Sequence, residues 1–112
     1  MAVERYMEAF DAFEKCFKNK NVEVKHRSMK KMETGTNRDI SFYYNDKYIC
    51  GVYVAKEKYK FYLDDNSWRE STKGQASDIK EDGWYNIFFE DLSDCVEDVK
   101  NYFSKYNNSQ VD

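Results

Sequence analysis

The chain has no proline, one histidine, three cysteines and four glycines. Without proline, and with no Gly/Ser-rich stretch or internal repeat, nothing in it reads as a linker between folded units. The glycines Gly35, Gly51, Gly74 and Gly83 are scattered, so no glycine-rich loop is available to cradle a phosphate. The lone histidine, His26, removes Ser-His-Asp and Cys-His catalysis unless that one residue serves. Cys16, Cys50 and Cys95 are odd in number and far apart, which is the spacing neither of a disulfide framework nor of a CxxC metal knuckle. A Cys3His zinc site completed by His26 would need every ligand from a different element, and ordinary reduced thiols are the expectation. No apolar run approaches the roughly 20 residues that span a bilayer, and the segment Met1 to Phe17 alternates charge with hydrophobe instead of forming a leader's apolar stretch. A soluble, cytoplasmic protein without a membrane partner is expected.

What is present is aromatic mass. Eight Phe, ten Tyr and two Trp in 112 residues are far more than a disordered chain carries, and that length suits one core. A single domain over residues 1–106 with a frayed tail over 107–112 is expected.

From Val3 to Phe17, apolar residues at Val3, Tyr6, Met7, Phe10, Phe13 and Phe17 recur at three- and four-residue spacing, predicting an amphipathic helix. Asn19 or Asn21 suits its end, because asparagine tolerates the left-handed cap conformation. The period then changes to two: Val22, Val24 and His26 alternate with Glu23, Lys25 and Arg27, predicting a strand with one wet face. A polar connection, Lys30 to Arg38, leads to the strand Ile40 to Tyr44, the turn Asn45-Asp46 and the strand Tyr48 to Val54. A further turn at Lys56-Glu57 places Val54 opposite Tyr59, Val52 opposite Phe61 and Cys50 opposite Leu63. That register gathers Ile49, Gly51, Tyr53, Lys60 and Tyr62 on the other sheet face, joined by Tyr43 if the Asn45 turn holds three residues. After a polar stretch from Asp64 to Asp82, whose one obvious anchor is Trp68, Gly83 to Phe89 predicts a last strand, apolar on both sides and therefore well covered. Asp91 or Ser93 caps a second helix whose stripe is Leu92, Val96, Val99, Phe103 and Tyr106. The expected fold is α+β: a two-layer sandwich in which an antiparallel meander of about five strands carries the N-terminal and C-terminal helices on one face. Phe10, Phe13, Phe17, Val52, Phe61, Val96, Val99 and Phe103 are its expected shared core.

No constellation of chemistry stands out. Glu23-Val24-Lys25 has the ExK spacing of metal-dependent nucleases but lacks the upstream acidic strand residue, since Asp11 falls on a helix. Asp64-Asp65, Glu81-Asp82 and Glu90-Asp91 flank strands and caps, where carboxylates are ordinary. Charge, however, is divided along the chain: residues 1–62 hold 13 Lys/Arg against 9 Asp/Glu, residues 63–112 hold 5 against 12. Lys18 to Lys31 carries six basic residues and Asp78 to Asp98 eight acids. The tyrosine-rich sheet face either stands open, as an interface would, or is covered by the stretch 64–82 with Trp68.

These features predict a non-enzymatic protein-binding module, without cofactor or metal, that meets a basic surface of a protein partner through acidic and aromatic residues. The candidate contact residues are Tyr53, Tyr62, Trp68, Glu81, Asp82, Glu90 and Asp91. In size, acidity and want of catalytic motifs the chain resembles small inhibitor and immunity-type proteins, among them phage anti-defence and anti-CRISPR proteins, a resemblance of character that no motif carries. The alternative is direct nucleic-acid binding through the basic segment 18–31 with tyrosines as stacking platforms, against which stands a pI near 5.3.

Overall fold

The computed structural model describes residues 2–64, 75–76 and 82–110, with side chains for 3–64 and 82–105. The elements run α1 (Ala2–Cys16), β1 (Val22–His26), α2 (Met29–Thr34), β2 (Asp39–Tyr44), β3 (Lys47–Val54), β4 (Tyr59–Leu63), β5 (Gln75–Ala76), β6 (Tyr85–Phe89) and α3 (Leu92–Gln110). The sheet has the order β1-β2-β3-β4-β6-β5 with antiparallel neighbours throughout. Its five longer strands form the expected antiparallel meander, and two-residue β5 lies outside β6. Among the described residues no helix is long and apolar enough to cross a membrane.

Both long helices lie on one face, and aromatic side chains hold them there. Phe13 of α1 and Phe17 just beyond its end meet Phe42 of β2 edge-on at 5.1 and 6.0 Å, Phe103 of α3 meets Phe42 at 6.1 Å and Phe17 at 5.4 Å, and Tyr102 meets Phe61 of β4 at 5.9 Å. Seven of the eight expected core residues are buried, Val96 being only half-buried. The correction lies in the helical phase: α3 turns Cys95, Val99, Tyr102 and Phe103 fully inward and leaves Leu92 and Val96 on the margin. α1 ends as its asparagine requires, with Asn19 at φ 62 just beyond the last turn. α3 continues to Gln110.

Two further corrections bear on the sheet. The expected polar connection from Lys30 to Arg38 is instead largely taken up by α2, six residues from Met29 capped at its start by Ser28, whose hydroxyl accepts from Lys31 N, and closed by Gly35 at φ 72. The β2–β3 turn holds two residues, Asn45 and Asp46, both at positive φ as a type I′ hairpin demands. Tyr43 then pairs with Tyr48 while Phe42 pairs with Cys50, so Ile49 is the extra residue of a β-bulge. Ile49, expected on the tyrosine face, is buried in the core, and Tyr48 takes the outward place instead. The β3–β4 register is as expected, with Val54 opposite Tyr59 and Val52 opposite Phe61.

Replacing Phe103 with Ala is expected to cost about 3–5 kcal/mol, since it removes ring contacts to both α1 and β2. Val96→Ala, at a half-buried position, is expected to cost about 1 kcal/mol. Urea unfolding of the two variants tests the phase of α3: equal losses would show that the assigned inward face is wrong.

Candidate functional site

Alternation along the strands assigns a set of side chains to the sheet face turned away from α1 and α3. Three cross-strand rows follow from the register. Asp39, Tyr53, Lys60 and Phe88 form the first, Lys25, Ser41, Gly51, Tyr62 and Asn86 the second, and Glu23, Tyr43 and Tyr48 the third, where Trp84 adds its ring. The rings touch in sequence: Tyr43 meets Tyr48 at 5.6 Å, Tyr48 meets Trp84 at 5.9 Å, and Trp84 meets Tyr62 at 5.7 Å, each near perpendicular. Edge-to-face contact sets the positive rim of one ring against the negative face of the next.

Cations are interleaved with these rings. Lys25 Nζ lies 4.8 Å from the Tyr43 ring, Lys60 Nζ 5.4 Å from Tyr53 and 5.9 Å from Tyr62, and Lys58 Nζ 4.6 Å from Phe88. Arg27 lines a shallow cleft of about 300 Å³ with Ser41, Tyr43 and Tyr48. Tyr62 lies flat over Gly51 and donates its hydroxyl to Asp39 Oδ1 at 3.0 Å. Burial is the largest influence holding that phenol in its neutral, donating form, and the nearby Tyr48 and Asp39 act in the same direction.

The expected contact residues that are described are spread over the sheet. Tyr53 is the most exposed aromatic of this face, at 37%, whereas Tyr62 is 8% exposed and serves as the floor of the face. Asp82 stands before β6 and Glu90 and Asp91 after it, all three exposed. At about 3.3 Å per strand residue, those acidic ends are roughly 20 Å apart. Asp98 is buried and withdrawn from the acidic surface. Trp68 and Glu81 lie outside the described residues, as does most of the stretch expected to cover or expose the face. Sequence reasoning missed Tyr48, whose place depends on the bulge, and Trp84, although its spacing from Asn86 and Phe88 is the period-two signal that finds it.

The other candidates are otherwise engaged. Glu23 pairs with Lys25 at 3.8 Å on the exposed edge strand. Among the described residues no group of three or more His, Cys, Asp and Glu side chains could hold a metal ion, so the three cysteines and His26 are not gathered. His26 stacks on Phe10 at 3.9 Å and its Nδ1 lies 2.7 Å from the Tyr6 hydroxyl. That hydroxyl accepts from Asn37 Nδ2 at 2.8 Å and has a second acceptor, the Asp39 carbonyl, at 3.2 Å. Its one proton goes to the nearer Nδ1 while the imidazole is neutral. No protein-family model, curated protein or solved structure matches the chain.

Gly51→Ala would drive a Cβ into the Tyr62 ring and is expected to cost about 1–3 kcal/mol. Combining it with Tyr62→Ala should recover most of that cost, so a double-mutant cycle by denaturant unfolding is expected to show favourable coupling; additive losses would place the ring elsewhere. A second prediction concerns pH. Burial lowers the His26 pKa against the opposing pull of Glu14 and Asp11, so between the folded value and the ordinary 6.5 the unfolded chain binds more protons. Stability should accordingly be full above about pH 7 and fall as pH drops below 6.5, a slope that His26→Phe should flatten in thermal melts.

Proposed function

We propose that the chain is a non-enzymatic protein-binding module that acts by occupying a partner's surface, as small inhibitors and immunity proteins do, and that the outer sheet face is its contact surface. The observation that carries this reading is the chain of touching rings from Tyr43 through Tyr48 and Trp84 to Tyr62, with Tyr53 exposed beside it. Tyrosine and tryptophan contribute most to binding when a partner desolvates their faces while their polar tips stay hydrogen-bonded. Asp82 at one end of β6 and Glu90 and Asp91 at the other supply rim charge, which steers a basic partner toward the aromatic centre. Such a surface suits blocking a protein that itself grips nucleic acid, the carboxylates standing in for phosphates. An anti-defence role is the setting in which this activity is most useful.

One specific observation favours a second reading. Lys25, Lys60 and Arg27 lie among the rings, the arrangement by which stacking platforms track a single-stranded nucleic acid. The net charge of −3 opposes it through long-range repulsion of a polyanion.

Affinity capture on the immobilised chain, with and without nuclease, separates the two when run beside a Tyr53→Ala/Lys60→Ala variant. One protein retained stoichiometrically through nuclease treatment and lost by the variant is the expected result. Recovery of RNA alone, or of a protein that the variant holds equally well, overturns the proposal. With the partner in hand, Asp82→Lys, Glu90→Lys and Asp91→Lys together should slow association several-fold at low salt and have little effect near 1 M, where the Debye length is about 3 Å. Tyr53→Ala should instead speed dissociation. Stopped-flow or surface-binding kinetics would show which rate each change moves.

A further inference from the structure

At the edge of the helix-bearing layer, the first turns of α1, the segment following α2 and the β3–β4 turn converge on a groove of about 860 Å³. That is within the size of small-molecule sites. Arg5, Arg38, Lys56, Tyr53, Glu4 and Glu8 line it. We infer that this groove binds a small ligand bearing a single anionic group, a carboxylate or a phosphate monoester, on a planar or hydrocarbon body.

Two guanidinium groups of the groove are positioned by backbone carbonyls. Arg5 Nε donates to the Ala55 carbonyl at 2.7 Å, and its guanidinium lies 4.2 Å from the centre of the Tyr59 ring. Arg38 Nη1 donates to the carbonyls of Gly35 at 2.9 Å and Asn37 at 2.8 Å, while its own carbonyl receives Val54 N at 2.8 Å. Contacts of this kind fix orientation without neutralising charge. Among the described residues neither guanidinium has a carboxylate within ion-pairing distance, although Glu4 and Glu8 border the same groove. Arg5 Nη2 is enclosed beside the Tyr59 ring, and among the described residues no hydrogen-bond acceptor meets it, a costly state for a charged donor. The oriented Arg38 guanidinium, with the Lys56 ammonium and the Arg5 charge beside it and no direct ion pair to either arginine among the described residues, is a receptor for an anion, and a planar guanidinium suits the paired oxygens of a carboxylate or phosphate.

The rest of the groove sets the ligand's size and charge. The Tyr53 ring and the Val54–Ala55 stretch offer apolar wall, which a bare inorganic ion would not use. Glu4 and Glu8 reduce the local excess of positive charge to one, disfavouring a polyanion.

Titration of the full-length chain with benzoate, phenyl phosphate and neutral benzyl alcohol, followed by NMR chemical shifts, tests the inference. Benzoate or phenyl phosphate is expected to saturate in the millimolar range or tighter and to shift resonances of Tyr53, Ala55 and Lys56. The tighter of the two identifies the anion. Arg38→Gln should weaken that binding about tenfold, and Lys56→Gln, at an exposed turn position that cannot disturb the core, a few-fold. Absence of binding by both anions, equal binding of benzyl alcohol, or affinities unchanged in both variants would overturn it.

Discussion

Phe42 is the contact on which the two-layer arrangement depends. It stands fully buried in β2, opposite Val24 on one side and Cys50 on the other, and receives Phe13 from α1, Phe17 from just beyond its end and Phe103 from α3. Neither long helix has more than one apolar stripe, so each needs a surface to cover, and both find it around one ring. Because Phe17 also touches Phe103, the helices are joined to each other as well as to the sheet. The chain's first and last described elements are thus tied together at a central strand, and the sheet's other face is left to different chemistry.

That other face is set largely by one inserted residue. Along β3, strict alternation from Val54 back through Val52 and Cys50 puts Tyr48 in the core and Ile49 outside. The bulge at Ile49 reverses this. It lets the branched aliphatic side chain enter the core and returns Tyr48, with its hydroxyl, to the aromatic row. Gly51 completes the device, since the absence of a Cβ is what allows the Tyr62 ring to lie against the strand and reach Asp39.

These details explain what could be read from sequence and what could not. The long amphipathic helices, the β3–β4 register and the aromatic face are carried by periodicities that repeat several times, and all were legible. The short helix α2 spans under two turns, too few for a period to show, and its only marks are Ser28 and Gly35 at its ends. A bulge leaves no periodic trace: Tyr43 reached its expected face, but through a two-residue turn and an extra residue rather than through a three-residue turn. The stripe Leu92, Val96, Val99 and Phe103 is rotated from the face that packs, which takes in Cys95 and Tyr102, the latter against Phe61. The acidic segment was legible as a run of charge, but linear proximity says nothing of space when a strand intervenes. β6 carries Asp82 and Glu90 to opposite ends of the sheet.

The segment Asn37-Arg38-Asp39 joins the regions that these features define. Asn37 is buried and donates to the Tyr6 hydroxyl, which in turn holds His26 on the inner side of the sheet. Arg38 turns its guanidinium to the groove, and the Asp39 carboxylate accepts from Tyr62 on the outer face. Asn37 and Arg38 precede β2, where strict strand alternation does not apply, so these three neighbours serve three surroundings. The arrangement is also rigid. The Asp39 carbonyl accepts from Asn37 Nδ2 and Arg27 N, and the Arg38 carbonyl accepts from Val54 N, so the backbone here is pinned from β1, β3 and its own side chain. Arg38, which lines the groove, thus sits between a residue bonded to the Tyr6–His26 cluster and one bonded to the floor of the aromatic face.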